Sequence, residues 1–150
     1  MPTLRRSGVS MGLRTRQPTL GKLRPPRLGR VFGRERLFHQ LDAFAAAPSW
    51  WVSGPPGIGK TTLVATYLSA RAIPCLWLQL DQGDADPASF VYFLREAAAL
   101  LAPRRKLHLP LPSADDLRDV PAFIRRCFRR LALVIDLPWA LVLDNAQELG

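Results

Sequence analysis

Residues 50–68 read WWVSGPPGIGKTTLVATYL, and this stretch decides the fold of the chain. The short apolar run at 50–53 predicts a buried strand, which the glycine- and proline-rich segment at 54–57 ends in a turn. From Lys60 onward, apolar residues recur at helical spacing, which predicts a helix that opens directly after the glycines. A strand, a glycine loop and a helix therefore follow one another in that order.

The eight residues at 54–61 satisfy the pattern G-x-x-x-x-G-K-[ST] of a phosphate-binding P-loop, also called Walker A. Glycines let the backbone curl so that successive N–H groups point inward, and the following helix adds the positive end of its dipole. Lys60 can then reach nucleotide phosphates, and the Thr61 hydroxyl can ligate magnesium, so we expect ATP with Mg²⁺ to bind here. The expected phosphate-binding residues are Gly54, Pro55, Pro56, Gly57, Ile58, Gly59, Lys60, Thr61 and Thr62.

A second part of the same site is predicted at 140–144, where four apolar residues precede Asp144. This pattern fits a Walker B strand. The end of a strand places a carboxylate at the edge of a parallel sheet, where ligands bind in such folds. Thr61 and Asp144 are therefore the expected magnesium residues. The alternative for 54–61 is a glycine turn with an incidental Lys-Thr pair, which the strand and helix around it disfavour.

The residue after Asp144 bears on whether the site hydrolyses ATP. ATPases of the branch with an extra strand commonly carry a glutamate at this position to polarise the attacking water, but this chain has Asn145. An amide can orient water but cannot take up a proton. Glu148 follows three residues later. Asn145 and Glu148 are the candidates for a catalytic role, no arginine finger is assigned, and binding has more support than hydrolysis.

The remaining elements alternate between strands and helices, which predicts a parallel sheet with flanking helices. Asp86 and Pro87 predict the start of one helix, as N-cap and first residue. Ser113 and Asp116 predict a capping pair for the next helix. Pro121 either kinks that helix or marks its true first turn. The expected helices cover 36–44, 60–70, 87–102 and the region up to 131, and the expected later strands cover 73–80 and 139–143.

The excess of positive charge lies at the N-terminus. The net charge is +9, and residues 1–34 hold nine Lys or Arg and no acid, while 35–150 hold twelve of each sign. We expect residues 1–29 to be a disordered basic lead-in. A nucleic-acid-binding arm is the alternative, although no aromatic residue for base stacking precedes Phe32. A mitochondrial transit peptide ranks lower, because prolines interrupt any long amphipathic helix.

Cysteine spacing and hydropathy limit the class of protein. Cys75 and Cys127 lack the spacing of a metal site or of a disulfide framework, so both are expected to be buried thiols. No apolar run approaches the roughly 18 residues that a membrane span needs. We therefore expect a cytoplasmic protein without membrane contact. The four arginines of 125–130 share the polar side of their helix and are expected to be a solvated surface rather than a phosphate site.

Four segments carry a family resemblance: KLRPPRLGRVFGRERLFHQLD (22–42), WWVSGPPGIGKTTLVATYL (50–68), LWLQLDQGDADPASFVYFL (76–94) and ALVLDNAQEL (140–149). They resemble the regulatory P-loop ATPases of the STAND class, near the AAA+ proteins, and especially the MalT-like (LuxR-type) bacterial transcriptional regulators. In this class a segment like VFGRE packs on adenine, which implies nucleotide contacts for Val31 and Arg34. The alternative, a linker into the first helix, stays open.

The resemblance also implies that the P-loop domain is incomplete. Such domains place a fourth strand, which carries a sensor residue, between the P-loop strand and the Walker B strand. We expect residues 30–150 to form the N-terminal part of a P-loop NTPase domain, with its first three core strands. Unpaired strand edges would then leave the isolated chain only marginally stable.

The function expected from sequence is an ATP-binding regulatory module. Nucleotide would bias contacts with downstream regulatory domains or with other copies of the chain, and DNA would be contacted only indirectly or through residues 1–34. Three alternatives remain open: an active ATPase or small-molecule kinase, a nucleic-acid-binding protein, and a truncated fragment without activity. A GTPase is disfavoured because the sequence lacks the guanine-selecting N-K-x-D.

Overall fold

The computed structural model describes residues 21–29, 33–103, 108–135 and 138–149. Within these ranges the chain is a mixed α/β fold with four helices and two strands, which confirms the predicted fold class. Most of the basic lead-in, together with Val31, lies outside the described residues. The elements in chain order are α1 (Glu35–Ala43), α2 (Lys60–Ala70), β1 (Cys75–Gln79), α3 (Pro87–Leu101), α4 (Val120–Val134) and β2 (Ala140–Asp144).

The sheet consists of β1 and β2, which run parallel, as the alternation of elements predicts. Cys75 pairs with Ala140 at the start of the two strands, and Gln79 pairs with Asp144 at their end. One further hydrogen bond, from the N–H of Leu80 to the carbonyl of Asp144 (2.8 Å), extends the pairing beyond β1. Asp144 therefore lies at the carboxyl edge of the sheet.

The prediction of a strand at 50–53 is wrong. These residues pair with no strand among those described, and the Trp51 side chain is 82% exposed. A strand needs a neighbour that accepts and donates its ladder hydrogen bonds, and an apolar run cannot supply one. Trp50 packs instead on the Tyr67 ring, with 5.6 Å between centroids, and its Nε1 donates to the carbonyl of Phe44 (2.8 Å).

The main core lies between the sheet and helices α3 and α4. The helices contribute apolar residues at helical spacing, and the most deeply buried side chains include Leu76, Leu78, Val91, Leu94, Phe123 and Leu131. The predicted start of α3 is confirmed, because the Asp86 carboxylate accepts from the N–H of Ser89 and Pro87 is the first helical residue. This cap fixes where α3 leaves the sheet edge.

Helix α4 starts later than its predicted cap. Ser113 and Asp116 do bond each other, but they close a turn that leads into a short 3-10 segment at Asp116–Arg118. The N-cap of α4 is Asp119, whose carboxylate accepts from the N–H of Ala122 (3.0 Å). Pro121 lies in the first turn, where its missing N–H costs no helical hydrogen bond. Pro121 therefore belongs to the first turn of the helix and does not kink it.

A second, smaller hydrophobic cluster packs α1 against α2, the helix that directly follows the glycine-rich segment. Phe38, Tyr67 and Leu68 are buried together. Asp42 ties the two helices, because it accepts hydrogen bonds from Tyr67 (2.9 Å) and from the Arg71 guanidinium (2.6 and 2.9 Å). The Arg71 hydrogen bond, aided by that from Tyr67 and opposed by desolvation, lowers the pKa of Asp42 to about 2.

The two thiols differ in exposure. Cys127 is buried on α4, as expected, whereas Cys75 is only partly buried because it is the first residue of β1. Burial raises the pKa of both thiols, so both are protonated at neutral pH. In the described ranges, none of the helices has both the length and the apolar character that a bilayer crossing requires.

Candidate functional site

The glycine loop, defined here as residues 54–59, forms a turn between an extended segment and α2. Gly57 and Gly59 have φ of 77° and 88°, in the left-handed region where a Cβ is strained. Gly59 is also the N-cap of α2 and has no side chain that could cap the helix. Glycine at these positions therefore lets the chain turn into the helix and leaves the helix end open.

The first backbone N–H groups of α2 face this open end. Among the described residues, the N–H groups of Lys60, Thr61 and Thr62 donate to no acceptor, and helical bonding begins with Leu63, which donates to Gly59 (2.9 Å). Free N–H groups at a helix start, together with the helix dipole, attract anions. This end of α2 is therefore suited to a phosphate group.

Lys60 bends back over the glycine loop. Its Nζ donates to the carbonyls of Gly54 (2.8 Å) and Pro55 (3.1 Å). The lysine thus closes the loop on itself, and its charge is held over the first two residues of the glycine loop. An anion in the loop would offer Nζ a charged acceptor in place of two carbonyl oxygens, which is a stronger hydrogen bond.

Thr61 and Asp144 are in direct contact. The Thr61 hydroxyl donates to Oδ1 of Asp144 at 2.9 Å, and the same carboxylate oxygen accepts from the N–H of Asn145 at 3.2 Å. The structure therefore brings together the two residues that the sequence predicts as magnesium residues, although 83 positions separate them. The contact joins the start of α2 to the carboxyl edge of the sheet.

This oxygen pair fits magnesium in chemistry, because a hydroxyl and a carboxylate are oxygen donors of the kind that Mg²⁺ binds, the carboxylate directly or through water. Magnesium usually takes one or two carboxylates and completes its shell with phosphate oxygens and water. In the part of the chain described, no cluster of three or more His, Cys, Asp or Glu side chains is placed to hold a metal ion.

Arg34 lies against the glycine loop. Its two terminal nitrogens are 3.4 Å from the carbonyl of Ile58, and a Cβ added to Gly59 would be 2.9 Å from Nη2. The guanidinium therefore borders the glycine loop at Ile58 and Gly59. Val31, the other residue predicted from the same segment, lies outside the described residues.

The two candidates for a catalytic role are placed differently. Asn145 follows β2 directly and has φ of 59°, a left-handed conformation that asparagine tolerates better than most residues. It is partly buried next to Asp144. Glu148 is exposed on the 3-10 turn Ala146–Leu149, and its N–H donates to the carbonyl of Asn145. Asn145 is therefore beside the site, whereas Glu148 faces solvent.

Sequence reasoning did not single out an ion cluster that lies at the same edge of the sheet. The Asp84 side chain is 1% exposed, and Lys22 Nζ bonds its two oxygens at 3.0 and 2.8 Å and Asp81 at 2.9 Å. Burial alone would lower the pKa of Lys22, but the hydrogen bonds to Asp84 and Asp81 raise it. The cluster fixes Gly21–Leu23 to the turn after β1. The feature of the sequence that could have indicated this cluster is the pair of acidic residues, Asp81 and Asp84, that follows the strand.

Fold and site together define a mixed α/β protein in which the start of the helix after a glycine loop meets a strand-end carboxylate at the carboxyl edge of a parallel sheet. The chain is similar to the HTH-type transcriptional regulator MalT of three bacteria. The identity is 34% over 71 residues for Cronobacter sakazakii, 36% over 77 for Serratia proteamaculans and 34% over 77 for Yersinia enterocolitica.

These matches cover 47% to 51% of this chain and 8% of each MalT protein. The shared part is therefore a small portion of each relative. No protein-family model matches the chain, and no solved structure matches it.

Proposed function

We propose that this chain is the nucleotide-binding part of a transcription-regulator type P-loop ATPase, and that it binds Mg-ATP through the glycine loop. The contact between Thr61 and Asp144 carries the proposal, because it joins two separately recognised motifs into one oxygen site beside free N–H groups. A glycine turn with an incidental Lys-Thr pair would give no reason for the threonine to meet a carboxylate at a strand end.

Each residue of the site has a distinct part in binding. The N–H groups of Lys60, Thr61 and Thr62 bind the phosphate oxygens, and Lys60 Nζ moves from the loop carbonyls onto a phosphate. Thr61 and Asp144 hold the magnesium ion, which supplies charge neutralisation between the phosphates when bound. Arg34 borders the loop and contacts the nucleoside side of the ligand. Binding thus replaces the hydrogen bonds of Lys60 to the carbonyls of Gly54 and Pro55.

The same site favours nucleotide binding over rapid hydrolysis. Asn145 occupies the position next to Asp144, and its amide cannot accept the proton of an attacking water. Glu148 is exposed, so it has no packing that would hold it near the phosphates. We therefore propose a switch in which occupancy of the loop changes the position of Lys60 and the order of the segment around it, with slow turnover.

The regulatory role rests on the MalT relatives, which are transcriptional regulators by name. We propose that the chain acts in the cytoplasm on further regulatory domains or on other copies of itself. Nucleotide would alter those contacts.

Titration of the full chain with a fluorescent ATP analogue, with and without magnesium, tests the proposal. We expect Lys60→Ala to weaken binding roughly 10- to 100-fold, the loss of one charge-assisted hydrogen bond. Thr66→Ala is the control, because its hydroxyl bonds carbonyls within α2 and lies one turn or more from the loop. The proposal would be contradicted if the wild-type chain did not bind the analogue, or if the wild type and Lys60→Ala bound it with equal affinity.

A further inference from the structure

Helix α4 carries an arginine-rich face that the nucleotide proposal does not use. Arg126, Arg129 and Arg130 line an open groove of about 330 Å³ together with Leu133. The spacing of these residues places them on one side of the helix, next to the face that buries Phe123, Cys127 and Leu131. The groove is thus an outward feature of α4 and does not reach the glycine loop's residues.

Leu133 gives this face its unusual composition. It is 86% exposed, the largest exposed fraction among the exposed large apolar residues in the described ranges. The walls of the groove are mainly carbon atoms, which come from Leu133 and from the arginine stems. Leu133, the next-to-last residue of α4, therefore adds an exposed apolar side chain to a face bordered by guanidinium groups.

The charges on this face are fixed to different extents. Arg126 pairs with Asp116, and its guanidinium lies 5.6 Å from the centre of the Phe123 ring. Within the described residues, Arg129 and Arg130 form no ion pair with an acid. One arginine therefore belongs to the fold, while the other two remain available to a partner with negative charge.

We propose that this groove docks an acidic amphipathic helix from another protein. One apolar side chain of that helix would pack on Leu133, and carboxylates on its neighbouring turns would pair with Arg129 and Arg130. Charge complementarity selects an acidic partner, and the carbon lining selects a protein helix over a nucleic acid, because phosphates gain nothing from a leucine. The groove is too open to enclose a small molecule.

A labelled helical peptide with leucines on one face and flanking glutamates tests this proposal by fluorescence anisotropy with the full chain. A version with glutamine in place of glutamate and a labelled DNA duplex are the comparison probes. We expect the glutamate peptide to bind more tightly than the glutamine peptide. The double variant Arg129→Glu, Arg130→Glu should weaken its binding about tenfold or more, and Leu133→Ser about fivefold.

The control variant is Arg24→Glu with Arg36→Glu, which changes the net charge equally at two exposed arginines away from α4. It should bind the peptide within about twofold of the wild type. Lys60→Ala should also bind normally, so a failure of nucleotide binding does not affect this test. Circular dichroism checks that the variants fold, and Arg129→Gln with Arg130→Gln replaces the charge reversal if it unfolds the chain.

Three results would overturn the docking surface. The first is a wild-type chain that does not bind the glutamate peptide. The second is an equal loss in the control variant, which would show attraction by net charge alone. The third is DNA binding that depends on Arg129 and Arg130 but not on Leu133, which would make the face a nucleic-acid surface.

Discussion

The Thr61 hydroxyl donates a 2.9 Å hydrogen bond to Oδ1 of Asp144, across 83 positions of sequence. This contact requires β2 to end beside the start of α2, because neither side chain is long. The parallel pairing of β1 with β2 brings Asp144 level with Gln79 at the carboxyl edge of the sheet, and the cluster that holds Tyr67 and Leu68 of α2 packs against Ala140 and Val142 of β2. The sheet and its packing on α2 together build the site.

Thr61 and Asp144 should both be needed for the magnesium dependence of nucleotide binding. We expect Thr61→Ala and Asp144→Ala to lower the affinity for Mg-ATP about tenfold or more. In the absence of magnesium, the variants and the wild type should bind ATP with nearly the same, weaker affinity. Thr61→Ser keeps the hydroxyl and should retain most of the affinity. The measurement is calorimetric titration with and without Mg²⁺. Equal losses in both conditions would assign the two residues a structural role.

Gly59→Ala should destabilise the fold. A non-glycine residue at φ of 88° costs about 1–2 kcal/mol, and the new Cβ would also press on the Arg34 guanidinium. Because Arg34 is flexible at its end, backbone strain should dominate, and adding Arg34→Ala should not restore stability. Denaturant unfolding measures the effect. Gly21→Ala is the control, since a Cβ there meets no atom within 4 Å.

Lys22 should stabilise the fold through Asp84. Removal of the amine by Lys22→Met leaves a carboxylate that is 1% exposed and that, among the described residues, keeps the N–H of Asp81 as its one partner. Breaking one side of a buried pair costs about 3 kcal/mol, which urea unfolding would detect. The second change, Asp84→Asn, should recover part of that loss. Arg118→Ala, which removes an exposed pair, should cost less than about 0.5 kcal/mol.

Stability should depend on pH through Asp42. Its folded pKa is lowered to about 2, so its contribution is present above the unfolded pKa near 4 and is lost as the pH falls from about 4 to about 2. Asp42→Asn should reduce the slope of stability against pH in that window and leave the slope above pH 5 unchanged. Thermal unfolding at a series of pH values tests this. An identical slope in the variant would contradict the role of the Arg71 and Tyr67 contacts.

The sequence was a good guide to most local structure, although the predicted Ser113–Asp116 cap does not start α4. The helix after the glycine loop begins and ends where its apolar spacing indicated, and Asp86 with Pro87 marks the start of α3. The other features that the sequence did not give depend on contact partners that lie far away along the chain. An apolar run at 50–53 could not reveal that no described strand lies beside it. Likewise, the pairing of Lys22 with Asp84 depends on contacts 62 positions apart, which no local pattern encodes.

The central claim is that the glycine loop and the start of α2 bind the phosphates of Mg-ATP. Amide ¹H–¹⁵N correlation spectra of the full chain during titration with Mg-ATP test it most directly. We predict that the largest saturable shifts fall on Gly57, Gly59, Lys60, Thr61 and Thr62, and that Lys60→Ala weakens the titration. Unchanged amides in this segment at saturating Mg-ATP, or shifts confined to other parts of the chain, would contradict the claim.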